Sequence, residues 1–201
     1  KAGTAITSGG RNTAIGFEAL STATQLTHNV AIGYQTMKDS SATTSHRNIG
    51  IGSFVMDSIG ANVANDNVAI GYNNLTNLTT GDNNTVIGSQ AGVQLNTAQD
   101  NTFVGFQAGN AITDGDFNVA IGFNALVSMD SGDRNVAIGY KALEDNNEDA
   151  INRNTAVGCN AALNLSTAIK TVAIGDDAIG IGITTGDKNV AVGQSAGYAL
   201  T

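Results

Sequence analysis

Hydrophobic and small residues recur along this chain in a fixed five-residue phrase: asparagine, a β-branched residue, a small residue, a second β-branched residue, glycine. The closing glycine stands at Gly16, Gly33, Gly52, Gly71, Gly88, Gly105, Gly122, Gly139, Gly158, Gly175 and Gly193, at intervals of 17 to 19 residues. The residue before it is Ile or Val in every copy, from Ile15, Ile32 and Ile51 to Val192; two residues earlier stands Thr, Val or Ile, from Thr13 to Val190. Residues two apart on a strand share a face, so these columns predict one apolar stripe. The column between them, alanine in eight of eleven copies, is placed on the opposite face. A β-branched pattern of period two is a strand signal, and each run is too short for a helix. After each glycine comes a second segment, often Ala-Leu, then a further apolar site at Ile59, Leu78, Leu95, Ile112, Met129 and Leu165. Polar stretches such as Thr79-Thr80-Gly81-Asp82 lead to the next asparagine. Each copy therefore predicts a strand, a glycine corner, a second short strand and a turn.

A unit of this length cannot bury an apolar stripe alone, whereas stacked copies share one continuous core. The predicted fold is all-β: a parallel β-solenoid of about eleven rungs, with residues 1–201 forming a single repeat domain. With ~4.8 Å between strands, one rung per repeat gives a rod of roughly 50 Å. The chain contains no proline. In a solenoid most strand amides bond to the rungs above and below, so proline would delete a ladder bond almost anywhere. Asparagine heads ten of the eleven copies, at Asn12, Asn29, Asn48, Asn67, Asn84, Asn101, Asn118, Asn135, Asn154 and Asn189, with Thr171 the exception. Identical amides one rung apart can bond to each other, and asparagine tolerates left-handed backbone, so this column reads as a structural amide ladder at a corner. The corner glycine reads as a position needing positive φ or close backbone approach.

The phrases Asn29-Val30-Ala31-Ile32-Gly33, Asn118-Val119-Ala120-Ile121-Gly122 and Asn135-Val136-Ala137-Ile138-Gly139 resemble the head repeat of trimeric autotransporter adhesins, the YadA-like head. The longer stretches Asn12 through Leu20 and Asn135 through Leu143 resemble still more closely the shaft repeats of phage tail fibres and related fibre proteins. The resemblance covers essentially the whole chain, although the units are longer than the compact adhesin-head repeat. It implies a left-handed parallel β-roll assembled as a homotrimer, located outside the cell on a virion fibre or a bacterial surface, with no active site of its own. The segment is expected to be an excerpt of a longer fibre. The leading expectation for function is a structural shaft that projects or presents receptor-binding contacts. The alternative is a trimeric adhesin head whose repeated outer face binds a matrix protein or a host-surface glycan with high valency.

Composition removes other classes. Nine Lys+Arg against 17 Asp+Glu give a net charge of −8, the reverse of a nucleic-acid-binding module. No apolar run approaches the ~18 residues of a membrane span. No cofactor, metal or catalytic residue is expected. Gly193-Gln194-Ser195-Ala196-Gly197 has the form of a nucleophile elbow, but the sibling phrases at Gly88 to Gly92 and Gly105 to Gly109 lack the central serine. Gly180-Ile181-Gly182 with Gly186 lacks the strand-to-helix setting of a phosphate loop. His28 and His46 have no Cys or carboxylate at ligand spacing, and the lone Cys159 replaces an aromatic residue in a packing column. Four Gly-Asp-x-Asn turns, at Gly81, Gly115, Gly132 and Gly186, read as Asx turns rather than calcium sites. Asn74, Asn77 and Asn164 head glycosylation sequons, which matter only in a suitable secretory pathway.

The column just before the asparagine holds all four arginines, Arg11, Arg47, Arg134 and Arg153, together with Lys170, Lys188 and His28. Stacked like charges repel through only partial screening, so such a column wants carboxylates. Candidates are Asp133, Asp187, Glu144, Asp145, Glu148, Asp149 or the acids of a neighbouring subunit. The favoured reading is a salt-bridge ladder between rungs or subunits; the other is a basic strip gripping an anionic glycan.

Overall fold

A computed structural model of the chain describes residues 1–4, 6, 9–22, 24–39, 45–59, 63–144, 153–165, 167–180 and 185–199. The eleven phrases form eleven strands: β1 Thr13–Ile15, β2 Val30–Ile32, β3 Ile49–Ser53, β4 Val68–Tyr72, β5 Thr85–Ser89, β6 Thr102–Val104, β7 Val119–Ile121, β8 Val136–Ile138, β9 Thr155–Val157, β10 Val172–Ile174 and β11 Val190–Val192. They pair in chain order into one parallel sheet, and no helix occurs among the described residues. Register is set by the phrase: Val30 lies beside Ile49, Ala31 beside Gly50 and Ile32 beside Ile51, although 19 residues separate each pair. The Met37 amide still bonds to the Val55 carbonyl and the Asp39 amide to that of Asp57. The offset of this longer repeat is therefore kept from the strand into the segment that follows it. The β-solenoid expected from the repeat is the architecture observed.

The second segment is not a strand. It is an arc of turns in which the second and fourth residues after each corner glycine are left-handed, for example Asn124 at φ 54° and Leu126 at φ 56°. The residue before each head asparagine is left-handed too, as at Arg134 and Lys170, both at φ 58°. This corrects the assignment of left-handed geometry to the asparagine itself. Such backbone costs a non-glycine residue about 1–2 kcal/mol. It persists because left-handed arc amides find carbonyls in adjacent rungs, as Gln35 N–H does at Phe17 O (2.8 Å) and Leu126 N–H at Ala142 O (3.0 Å). Unpaired, those buried groups would cost as much or more.

The core is also turned over relative to the expected stripe. The small-residue column points inward: Ala31, Ala69, Ala120, Ala137, Ala156 and Ala173 are fully buried. They face Leu20, Met37, Leu75, Leu126 and Leu143 of the arc, and Leu78, Leu95, Ile112 and Met129 beyond it. The Ile/Val column points outward, with Ile121 at 37% and Ile174 at 39% exposure. The interior of one rung is narrow, and the arc and the segment beyond it each deliver a large side chain into it, so the strand has room for little more than a methyl group. Where the strand residue is large the arc residue shrinks. Phe103 occupies the alanine column and its own arc carries Gly109, where an added Cβ would lie 2.5 Å from the Phe103 ring. Val86 is matched in the same way by Gly92.

The asparagine column is a buried ladder. Asn118 N–H donates to Asn101 Oδ1 (2.8 Å) and Asn135 N–H to Asn118 Oδ1 (2.9 Å), while the Asn118 amide donates to Gly132 O (2.8 Å). Direct amide-to-amide bonds also occur, as from Asn84 to Asn67 Oδ1 (3.1 Å). Thr171 N–H likewise donates to Asn154 Oδ1 (2.8 Å), but its hydroxyl is buried without a partner. Asn189 above it turns instead to Gly186 O (2.5 Å). At the corner, Gly122 has φ 137° and a Cβ there would sit 2.2 Å from Gly139 O, so positive φ and close approach both hold.

Candidate interaction surfaces

Alternation along each strand puts three columns on the outer face: the two β-branched columns and, past the corner, an aromatic one. The rings are largely exposed, with Phe17 at 54%, Tyr72 at 50% and Tyr140 at 48%. Neighbouring rings lie on each other. Phe17 and Tyr34 have centroids 5.3 Å apart at 11°, Phe106 and Phe123 5.2 Å at 14°, and Phe123 and Tyr140 5.4 Å at 14°. Where Ser53 interrupts the column, Phe54 from the next position fills in edge-on, 5.3 Å from Tyr34 and 6.0 Å from Tyr72. The result is an apolar strip along the sheet. All-parallel sheets normally have both faces covered, and contiguous exposed apolar patches on soluble chains mark interaction sites.

The column before the asparagine is exposed along its length, because left-handed backbone at that corner turns each side chain outward. It is not uniformly basic. Asp66 and Asp100 occupy it in the middle rungs, beside Asn83 and Phe117. Arg47 makes a two-pronged pair with Asp66, Nε to Oδ1 at 2.6 Å and Nη2 to Oδ2 at 2.7 Å. The hydrogen bonding and charge of that pair raise the Arg47 pKa and lower that of Asp66. Arg134 lies 3.7 Å from Asp133 and 5.1 Å from the centroid of the Phe117 ring. Arg11 Nη1 is 3.1 Å from His28 Nε2. Arg153, Lys170 and Lys188 are exposed and have no ion pair among the described residues.

The proposed carboxylate partners divide. Asp133 reaches Arg134, whereas Asp187 accepts the Ile169 amide (3.0 Å) and Glu144 pairs with Lys141 (2.9 Å). Asp145, Glu148 and Asp149 lie outside the described residues. The partner missed by sequence reasoning, Asp66, stands in the same column one rung on. Column membership alone could have revealed it.

The Gly-Asp-x-Asn aspartates act between rungs rather than closing their own turns. Asp82 Oδ1 accepts from Asn65 N–H (2.6 Å), Asp116 Oδ1 from Gln99 N–H (2.8 Å) and Asp133 Oδ1 from Asp116 N–H (2.9 Å). No cluster of metal-ligating side chains occurs among the described residues. Ser195 sits in an exposed turn on the last rung, whereas His28 and His46 belong to the second and third; His46 Nδ1 bonds to the Thr27 hydroxyl (2.6 Å). Gly180 and Gly186 are described, but Ile181 and Gly182 are not. Cys159 is exposed rather than packed, and partial desolvation followed by the charge of nearby Asp176 pushes its thiol pKa up, away from the thiolate. Of the sequon asparagines, Asn74 is buried and Asn77 exposed. No helix of the described residues is long and apolar enough to cross a membrane. No protein-family model, curated protein or solved structure matches the chain.

Proposed function

We propose that the chain is a stiff shaft segment of an extracellular surface fibre, of the phage tail-fibre kind, whose copies pack as a homotrimer through the outer face of the sheet. The observation that carries this reading is the in-register apolar strip of Ile/Val and aromatic columns. Every rung contributes to it, and none of the described residues covers it. The rings favour a protein partner over a sugar platform. At 5.2–5.4 Å two neighbouring rings are too close to lie side by side in one plane, so they tilt onto each other and present edges. Stacking a pyranose needs an exposed ring face, whereas edges interdigitate with aliphatic side chains. A shaft of this kind holds receptor-binding contacts away from the particle and needs no catalytic residue.

Light scattering coupled to size exclusion should return three times the chain mass of 20.4 kDa. Placing lysines at two neighbouring outer positions, Ile121→Lys with Phe123→Lys, should yield monomers with an unchanged far-ultraviolet spectrum. A wild-type monomer at every concentration tested would end the reading.

A further inference from the structure

We infer that the C-terminal part of the corner column is a binding strip for a linear polyanion, specifically a carboxylated or sulfated polysaccharide. Arg134, Arg153, Lys170 and Lys188 occupy the same position on four successive rungs, held outward at φ 58–61°. Rung spacing sets them about 4.8 Å apart in a single file. The chain is otherwise acidic, with a net charge of −8, yet no carboxylate stands in this column beyond Asp100. Elsewhere the column neutralises itself, as Arg47 does with Asp66 at 2.6 Å. Arg153, Lys170 and Lys188 have no such partner among the described residues. A file of mutually repelling cations gains from an anion that follows it, by direct pairing and by release of the polymer's counterions.

The geometry selects the polymer. A polysaccharide with one acid per sugar ring carries its charges in a single file with a repeat close to that of the rungs. Binding single-stranded nucleic acid calls for aromatic platforms beside the cations. On three of these four rungs the outer column past the corner glycine offers Cys159, Asp176 and Gln194 instead; the aromatic rings are confined to the first, where Tyr140 follows the corner and Phe117 lies beneath Arg134. The inference goes beyond the shaft reading and does not depend on it.

The test uses the full chain, with heparin and polygalacturonate as probes and neutral dextran and single-stranded DNA as comparisons. Both acidic polysaccharides should bind at low salt and dextran should not, with affinity falling as salt rises. Lys170→Glu with Lys188→Glu should weaken binding by about tenfold or more and flatten the salt dependence. Arg47→Gln, which removes a cation already paired, should leave binding unchanged. Lys170→Gln with Lys188→Gln gives the same direction with a smaller loss, should the reversed pair fail to fold. The inference is overturned by absence of binding at low salt, by tighter binding to DNA than to either polysaccharide, or by equal losses in the Arg47 and Lys170/Lys188 variants. It is also overturned if the Lys170/Lys188 variants dissociate the oligomer and leave polyanion binding intact.

Discussion

Replacing Asn101 by alanine removes one link of the buried ladder while leaving the backbone in place. Asn101 Oδ1 is the acceptor for Asn118 N–H (2.8 Å), and its amide donates to Gly115 O (2.9 Å), Gln99 O (3.0 Å) and Asn84 Oδ1 (3.1 Å). Two of these four groups keep a partner. Gln99 O still accepts from Phe117 N–H (3.1 Å) and Asn84 Oδ1 from Asn101 N–H (3.1 Å). Asn118 N–H and Gly115 O are left without one inside the protein. A buried unsatisfied group costs about 1–3 kcal/mol, so the substitution should destabilise by about 2–6 kcal/mol. Because rungs contact mainly their neighbours, the loss should also split the transition and lower the apparent denaturant slope. Urea unfolding followed by far-ultraviolet circular dichroism reads both quantities. A loss below about 1 kcal/mol, the net worth of one ordinary hydrogen bond, would refute the reasoning, since it would mean the column is wet or dispensable.

The converse change, Thr171→Asn, restores the missing link and removes a buried hydroxyl without a partner; it should stabilise by about 1–2 kcal/mol in the same assay. Phe103→Ala opens a cavity worth about 3–5 kcal/mol and Gly109→Leu drives a side chain into the ring, but the double variant reproduces the Ala120/Leu126 pairing two positions of which are already native on the next rung, and should recover much of the loss. Gly122→Ala puts a Cβ into the carbonyl of the rung above, and its failure to lower the melting temperature would contradict the corner geometry. Asp66 is held below its usual pKa by Arg47, so its contribution is present above the unfolded carboxylate range and fades as pH falls through the lowered value; Asp66→Asn should flatten acid unfolding there. Asp57 is raised, chiefly by burial and then by Asp39, so its folded form holds its proton more tightly than the unfolded chain does. Asp57→Asn should therefore gain stability at pH 7 and lose that gain in acid.

The repeat was legible because its information is columnar. The same phrase eleven times over fixes strand position, register and parallel stacking, and Thr13, Val30 and Ile49 do align as the spacing demands. Which face is buried was not legible from one phrase, because Val-Ala-Ile reads most simply as a strand with its large side chains inward. The deciding signal lies six residues apart, in the reciprocal sizes of Phe103 and Gly109 or Val86 and Gly92. The left-handed arc was equally hidden, since Gln107, Lys141 and Leu143 have no local preference for it and adopt it under the hydrogen-bond demands of adjacent rungs. The corner column showed its arginines but concealed the neutralisation of Arg47, because Asp66 belongs to the column itself and not to an adjacent turn.

Pulled along its axis, the rod bears load across joints arranged in series, each made of several bonds that share the force side by side. Such an assembly parts at its weakest joint. Between the rungs of Thr171 and Asn189 the side-chain strut is missing, so tearing should begin there and shed the last coil first. A conserved length of rod would remain gripped, and one hydroxyl in place of one amide would have set the breaking point.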